Sequence, residues 1–233
     1  GSYSGSFNID NVSVRLLAVE DRSVNDNGLQ VFGTITKTPV ATGADLVGYS
    51  GFSTSNYLVQ PYNSGLDFGT GDFSVMGWVK TTTTATGGIA STQDDNLVDV
   101  GFAVLQSAAT SGIVLISSNG GARSLTTGTT AVNDGSWHHF VASRTNSGAT
   151  QSIYIDGSLD LSETVTVRDI TATSKPLTVG QWLPNASPKY HFAGGSIALL
   201  RISATAPTVE QIAKIYEDEK VLFQENSQAT LYG

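Results

Sequence analysis

The stretch Asn133–Asp160, NDGSWHHFVASRTNSGATQSIYIDGSLD, constrains the fold of this chain more than any other. It reads as a β-strand, a polar loop, a second strand and a tight turn into a third. Side chains alternate along a strand, so Trp137, His139 and Val141 point one way and His138, Phe140 and Ala142 the other. Both faces are fairly apolar, which predicts burial on both sides. Asn146, Ser147 and Gly148 make the loop. Ile153 and Ile155 share a face, and Asp156-Gly157 is a pair that tolerates positive φ and closes a two-residue hairpin.

The remainder of the chain is built the same way. Thr, Val, Ile and aromatic residues at strand spacing, broken by Gly, Asn, Asp and Ser clusters, imply an all-β protein. Its 233 residues suffice for one large sandwich or two small domains. A core of that size needs no disulfides, and the absence of Cys excludes them, along with thiol catalysis and thiolate–zinc sites. A Cys-free chain fits a bacterial or phage protein better than a secreted animal one. The net charge of −8 repels phosphate backbones, so nucleic acid is not an expected partner. No run of 18 apolar residues is present to span a membrane. The chain opens on Gly-Ser rather than Met, which reads as a cloning scar on a fragment. Other domains of the same parent chain are therefore expected partners.

In chain order, residues 1–45 read as an N-terminal appendage or the end of a preceding module. Phe7–Arg15 has strand character, residues 18–27 are linker-like, and Gly28–Ile35 reads as a strand with Leu29 and Val31 facing in. Thr36–Asp45 reads as a connection broken by Pro39 and Gly43. Residues 46–220 carry the main domain and 221–233 a tail. In Asp72–Lys80, Phe73, Val75 and Val79 share one face and Met76 and Trp78 the other. Ile197–Ser203 is an apolar strand. Thr208 and Gln211 have capping-box spacing, and Val209, Ile212, Ala213 and Tyr216 form the apolar stripe of one short helix.

Several segments carry a family resemblance. WHHFVASR…QSIYIDGSLD, the opening Phe52–Lys80 with Tyr57-Leu58, Pro61 and DFSVMGWVK, and the strand–helix close over Gly195–Tyr216 resemble laminin-G-like domains. These belong to the concanavalin A-like lectin/glucanase superfamily. The resemblance implies a jelly-roll β-sandwich with a short C-terminal helix, used mostly for binding sugars or proteins, with some branches that cleave polysaccharides. The FNIDNVSVRL segment resembles the last strand of a carbohydrate-binding jelly roll. Together with the C-terminal tail it resembles flanks in tail or virion proteins of bacterial viruses.

The chemistry is sparse. Retaining glucanases of the superfamily place carboxylates about 5 Å apart in an E-x-D-x-x-E pattern. None of the six Glu here begins that pattern, so the chain is read as a non-enzyme. A divergent lyase would need Tyr190-His191, the one adjacent Tyr-His pair. His138 and His139 look like a metal dyad, but neighbouring strand residues point to opposite faces. Asp134 and Asp156 read as turn residues. The family also implies calcium, which takes six to eight oxygens. Its usual acidic positions are here Ser53, Ala198 and Leu199. Asp94, Asp95, Asn96 and Asp99 form the alternative calcium locus, or a solvated acidic loop.

Sugar binding asks for aromatic faces beside polar groups at the sandwich rim. Trp182, Asn185 and Tyr190 in a Pro-containing loop have that composition, and Tyr62 and Asn63 next to Pro61 add to it. Packing over a sandwich edge fits Trp182 as well. Asn11 and Asn185 match glycosylation acceptors, a pattern frequent by chance. The expectation is a non-catalytic lectin-like module of a larger extracellular or virion protein, binding a glycan or cell-surface polysaccharide. The alternatives are a structural spacer in a tail fibre or adhesin, and a divergent polysaccharide-degrading enzyme.

Overall fold

Short strands with alternating side chains build two antiparallel sheets around one core, in a computed structural model that describes residues 28–93, 99–182 and 189–228. In chain order the strands are β1 (Gln30–Phe32), β2 (Thr36–Pro39), β3 (Val47–Ser50), β4 (Tyr57–Gln60), β5 (Phe73–Lys80), β6 (Gly87–Ser91), β7 (Gly101–Gln106) and β8 (Ile113–Ser118). They continue with β9 (Arg123–Thr127), β10 (Trp137–Thr145), β11 (Thr150–Ile155), β12 (Ser158–Thr164), β13 (Leu177–Val179), β14 (Gln181–Trp182), β15 (Tyr190–His191) and β16 (Ser196–Ser203). One sheet runs β1-β4-β13-β6-β7-β8-β9, with the β14–β15 hairpin attached beside β6. The other runs β12-β11-β10-β5-β16-β3-β2. This is the jelly-roll sandwich that the resemblance implies.

The central hairpin sits where its apolar pattern requires. Phe140 and Ala142 of β10, Ile153 and Ile155 of β11, and Phe73, Val75 and Val79 of β5 face Phe102, Val104, Ile113 and Leu115 of the opposite sheet. Asp156 and Gly157 take φ of 50° and 78°, the left-handed pair of a two-residue turn. A side chain at Gly157 would also meet the ring of Tyr216 at 3.0 Å.

On the outer face of the seven-stranded sheet lies the helix α1 (Val209–Glu219). Its capping box is complete, with the Thr208 hydroxyl accepting from Gln211 N–H and the Gln211 side chain accepting from Thr208 N–H. Ile212 is buried with Met76, Val141 and Tyr154. The helix is turned so that Ile215, rather than the expected Val209, joins Ile212 and Tyr216 over the sheet; Val209 stays 51% exposed.

Both ends of the described chain join the sandwich. β1 is an edge strand of one sheet and β2 of the other, although the expected domain boundary falls at residue 46 and Thr36–Asp45 reads as a connection. Pro39 is tolerated because it ends an edge strand. A 3-10 turn at Lys220–Phe223 brings Phe223 onto Trp78, with ring centroids 4.1 Å apart, and Asn226 N–H donates to Thr42 C=O.

Arg144 is wholly buried at one end of the sandwich. Its guanidinium donates to the carbonyls of Gly69, Gly71 and Arg168 and lies 4.8 Å from the Phe73 ring centroid. Burial lowers its pKa to about 10, so it remains charged at neutral pH. It fixes the loop that carries the site described next.

Candidate ligand-binding site

β4 ends where Pro61 removes a backbone donor. The chain then enters a 3-10 turn, Ser64–Leu66, capped by Asn63, whose side-chain oxygen accepts from Gly65 N–H at 2.8 Å. That leaves the two amide N–H donors of Asn63 without a protein partner among the described residues. Tyr62 stands out at 42% exposure, and its hydroxyl donates to Asp67 at 2.6 Å. The other oxygen of Asp67 accepts from Ala172 N–H. The hydrogen bond to Asp67 raises the Tyr62 pKa, so the phenol stays protonated and fixed. Gln60, Pro61, Tyr62, Asn63 and Ser64 line a shallow open depression.

Beside it runs the outer edge of the same sheet. Val31 packs against the core, so Gln30 and Phe32 face outward. Phe32 lies opposite Tyr57, and the two rings stack with centroids 5.1 Å apart and planes 5° from parallel. Phe32 is 43% exposed. Asn56 holds the exit of β1 by accepting from Thr34 N–H and donating to Gly51 C=O. Sequence reasoning passes over Phe32 because β1 falls within the 1–45 appendage, and over Tyr57 because it reads only as part of the Phe52–Lys80 opening segment. The signal was present in GLQVF, where a Phe falls on the polar face of a strand.

Trp182 is placed differently from expectation. It lies in strand β14, not in a loop, and is 4% exposed. Its indole packs on Ala103, Leu105, Val114 and Ile116, and Nε1 donates to Gln93 Oε1 at 3.1 Å. Tyr190 pairs with it across the hairpin, ring centroids 5.1 Å apart. The ring faces of Trp182 are thus taken up by protein. Nor does the fold bring it to Tyr62: Leu177 at one end of β13 pairs with Gln60, whereas Trp182 follows the other end. Asn185 lies outside the described residues.

Of the expected calcium ligands, Asp94, Asp95 and Asn96 also lie outside the described residues. Asp99 is nearly buried, with one carboxylate oxygen 2.7 Å from Lys175 Nζ and the other accepting from Val100 N–H. At the family's usual position the Ser53 hydroxyl accepts from the N–H groups of Ser55 and Asn56, capping its own turn. Ala198 is buried beside Trp78, and Leu199 takes φ of 48° where the register of β16 shifts. Among the described residues, no three His, Asp or Glu side chains gather as metal ligands.

The two histidines part company as alternation requires. His138 Nδ1 lies 2.8 Å from Asp156 and Nε2 3.1 Å from Asp134, and the bond to Asp156 raises its pKa. Asp134 and Asp156 also accept backbone N–H groups of Ser136 and His139, consistent with turn roles. His139 is fully buried between Trp78 and Tyr216, with neither ring nitrogen hydrogen-bonded. Burial lowers its pKa to about 4, so it is neutral at pH 7. Tyr190 and His191 form strand β15, with His191 paired to Gln181.

Among the described residues, no helix is long and apolar enough to cross a membrane. No curated protein matches the chain in sequence. Solved structures match the fold at low identity. The binding domain of Paraclostridial Mosquitocidal Protein 1 superposes with a TM-score of 0.66 at 13% identity, over 85% of this chain and 49% of that one. The binding domain of Botulinum Neurotoxin DC in complex with SialylT gives 0.65 at 14%, over 85% and 48%. The same binding domain in complex with rat synaptotagmin II gives 0.62 at 14%, over 85% and 48%. The chain thus spans about half the length of these proteins. The expected likeness of the flanks to bacteriophage tail proteins is not borne out by these matches. A laminin-G family model, described as concanavalin A-like lectin/glucanases superfamily, matches residues 52–213, and the chain belongs to that superfamily.

Proposed function

We propose that this domain is a non-catalytic recognition module that binds a glycan at the rim formed by Pro61–Ser64. The observation that carries the reading is the exposed Tyr62 ring, held in place by Asp67 beside the unused amide donors of Asn63. A pyranose offers an apolar C–H face and a belt of hydroxyls. A fixed aromatic face next to a carboxamide answers both. The solved neighbours support the reading in outline, since one carries a sialylated ligand and another a synaptotagmin. Such a module would act on an extracellular or virion surface as part of a longer chain.

A panel of immobilised glycans tests it. Binding should be detected, and Tyr62→Ala should weaken it at least about tenfold while leaving the melting temperature within about 2 °C. Silence across the panel would favour a spacer domain with no glycan ligand. Release of reducing ends or unsaturated sugars from a bound polysaccharide would overturn the non-catalytic assignment.

A further inference from the structure

His139 is a titratable ring that the binding rim does not use. It is fully buried, and neither ring nitrogen has a hydrogen-bond partner. Its strand, β10, is paired with β5 on one side and β11 on the other, which fixes the backbone beneath the ring. Trp78 of β5 lies beside it, ring centroids 5.4 Å apart, and Tyr216 of α1 at 6.1 Å. The cover is the C-terminal segment, and no strand pairing holds it down. Ile212 rests on Met76, Val141 and Tyr154, Tyr216 and Phe223 rest on Trp78, and Glu219 accepts from Trp78 Nε1 and pairs with Arg201. Beyond the helix, Asn226 N–H donates to Thr42 C=O and Asp45 N–H to Ser227 C=O. A segment held by side chains and two backbone bonds can open while the sheet beneath it stays paired.

A proton on His139 finds no acceptor while the cover is closed. Arg201 of β16 carries the same charge and opposes it. Asp156 at the β11–β12 turn favours it, but its oxygens are engaged by His138 Nδ1 and by the His139 N–H. From α1, Glu219 is held by Trp78 and Arg201, and Lys220, paired with Glu217, stands over the Tyr216 ring. Burial first and Arg201 second hold the His139 pKa down to about 4. An imidazolium buried without acceptors is unfavourable, and lifting the cover is the way to give it water.

We infer that residues 209–227 form a proton-linked strap, which lifts off the seven-stranded sheet when His139 takes up a proton and bares the faces of Trp78 and Trp137. The strap is closed at neutral pH, where the ring is uncharged. His138 keeps Asp134 and Asp156 in both states, because neither carboxylate belongs to the strap.

Native-state hydrogen exchange tests it, read on peptides from α1 and from β7–β8 and corrected for the intrinsic exchange rate at each pH. A proton that binds only the opened state, with the ~6.5 of an ordinary histidine, raises the opening constant by up to about tenfold per pH unit. At about pH 7.5 and about pH 4.5 alike, α1 should be at least about a hundredfold less protected than β7–β8. Between those two pH values its protection should fall at least about fiftyfold. In His139→Phe the fall should shrink to less than about threefold. His139→Met, which fills the same space without a titrating group, serves if the Phe variant does not fold. Equal protection of α1 and β7–β8 would show that the segment opens only with the whole fold. That result, no fall in the parent, or an undiminished fall in the variant would each overturn the inference.

Discussion

Two clusters of aromatic rings lie on the outside of this sandwich, and they differ in what covers them. On the seven-stranded sheet, Trp78 is sandwiched by Phe223 and Tyr216, and its Nε1 donates to Glu219. Trp137 leans on Phe223 and donates to Val40 C=O. Arg201 pairs with the same Glu219 at the margin. The chain's own C-terminal segment has closed that cluster. At the β1–β4 edge, Phe32 and Tyr62 each keep more than two-fifths of their surface exposed. Aromatic composition therefore does not separate the two clusters; whether a ring keeps a face uncovered does.

The sharpest way to break this contrast is to truncate the covered rings. Trp78→Ala removes a buried side chain and leaves a cavity, so it should cost about 3–5 kcal/mol in denaturant unfolding. Trp182→Ala should cost a comparable amount, while the fraction that remains folded binds glycan as the parent does. A Trp182 variant with unchanged stability and lost binding would move recognition from the β1–β4 edge to the β14–β15 hairpin.

Next in size is a pH effect inside the covered cluster. His139 has a folded pKa of about 4, below the ~6.5 of an unfolded chain. Between those values the unfolded state binds a proton that the folded state refuses, so stability falls as pH drops from 6.5 to 4. The full loss is about 3 kcal/mol. His139→Phe should flatten that part of the stability profile. His138 has the opposite sign. Its pKa is raised, chiefly by Asp156, so its contribution is complete below 6.5 and is lost as pH rises through the raised value. A profile in which His139→Phe retains the acid loss would show that the ring is not sealed from water.

At the open edge the effects on stability should be small. Phe32→Ala and Tyr62→Ala are surface changes and should stay within about 0.5 kcal/mol of the parent. Smallest of all is the response to a chelator. With Asp99 neutralised by Lys175 and Ser53 capping its own turn, the melting temperature should not move in EDTA. A fall of several degrees would point to a metal site in the Asp94–Asn96 segment.

Much of this molecule is legible in its sequence, and what is not has a common cause. The central hairpin, both faces of β5 and the capping box follow from alternation and from spacing within a few residues, which are local. Trp182 misleads because a two-residue strand has no period, and its partner Tyr190 lies eight positions away. β1 and β2 are three and four residues long, so their membership of the two sheets is decided by distant pairing with β4 and β3. Phe32 fell out of view with them. The exposed place of Tyr62 and Asn63 past the end of β4 is legible because a Pro followed by an aromatic and an amide announces the end of a strand. The rotation of α1 that exchanges Val209 for Ile215 depends on the sheet beneath it.

The most direct test compares glycan binding by Tyr62→Ala with that by Trp182→Ala, each normalised to its folded fraction. Recognition at the uncovered edge predicts at least about a tenfold loss for Tyr62→Ala and none for Trp182→Ala. Unchanged binding by Tyr62→Ala together with a loss in Trp182→Ala would contradict it.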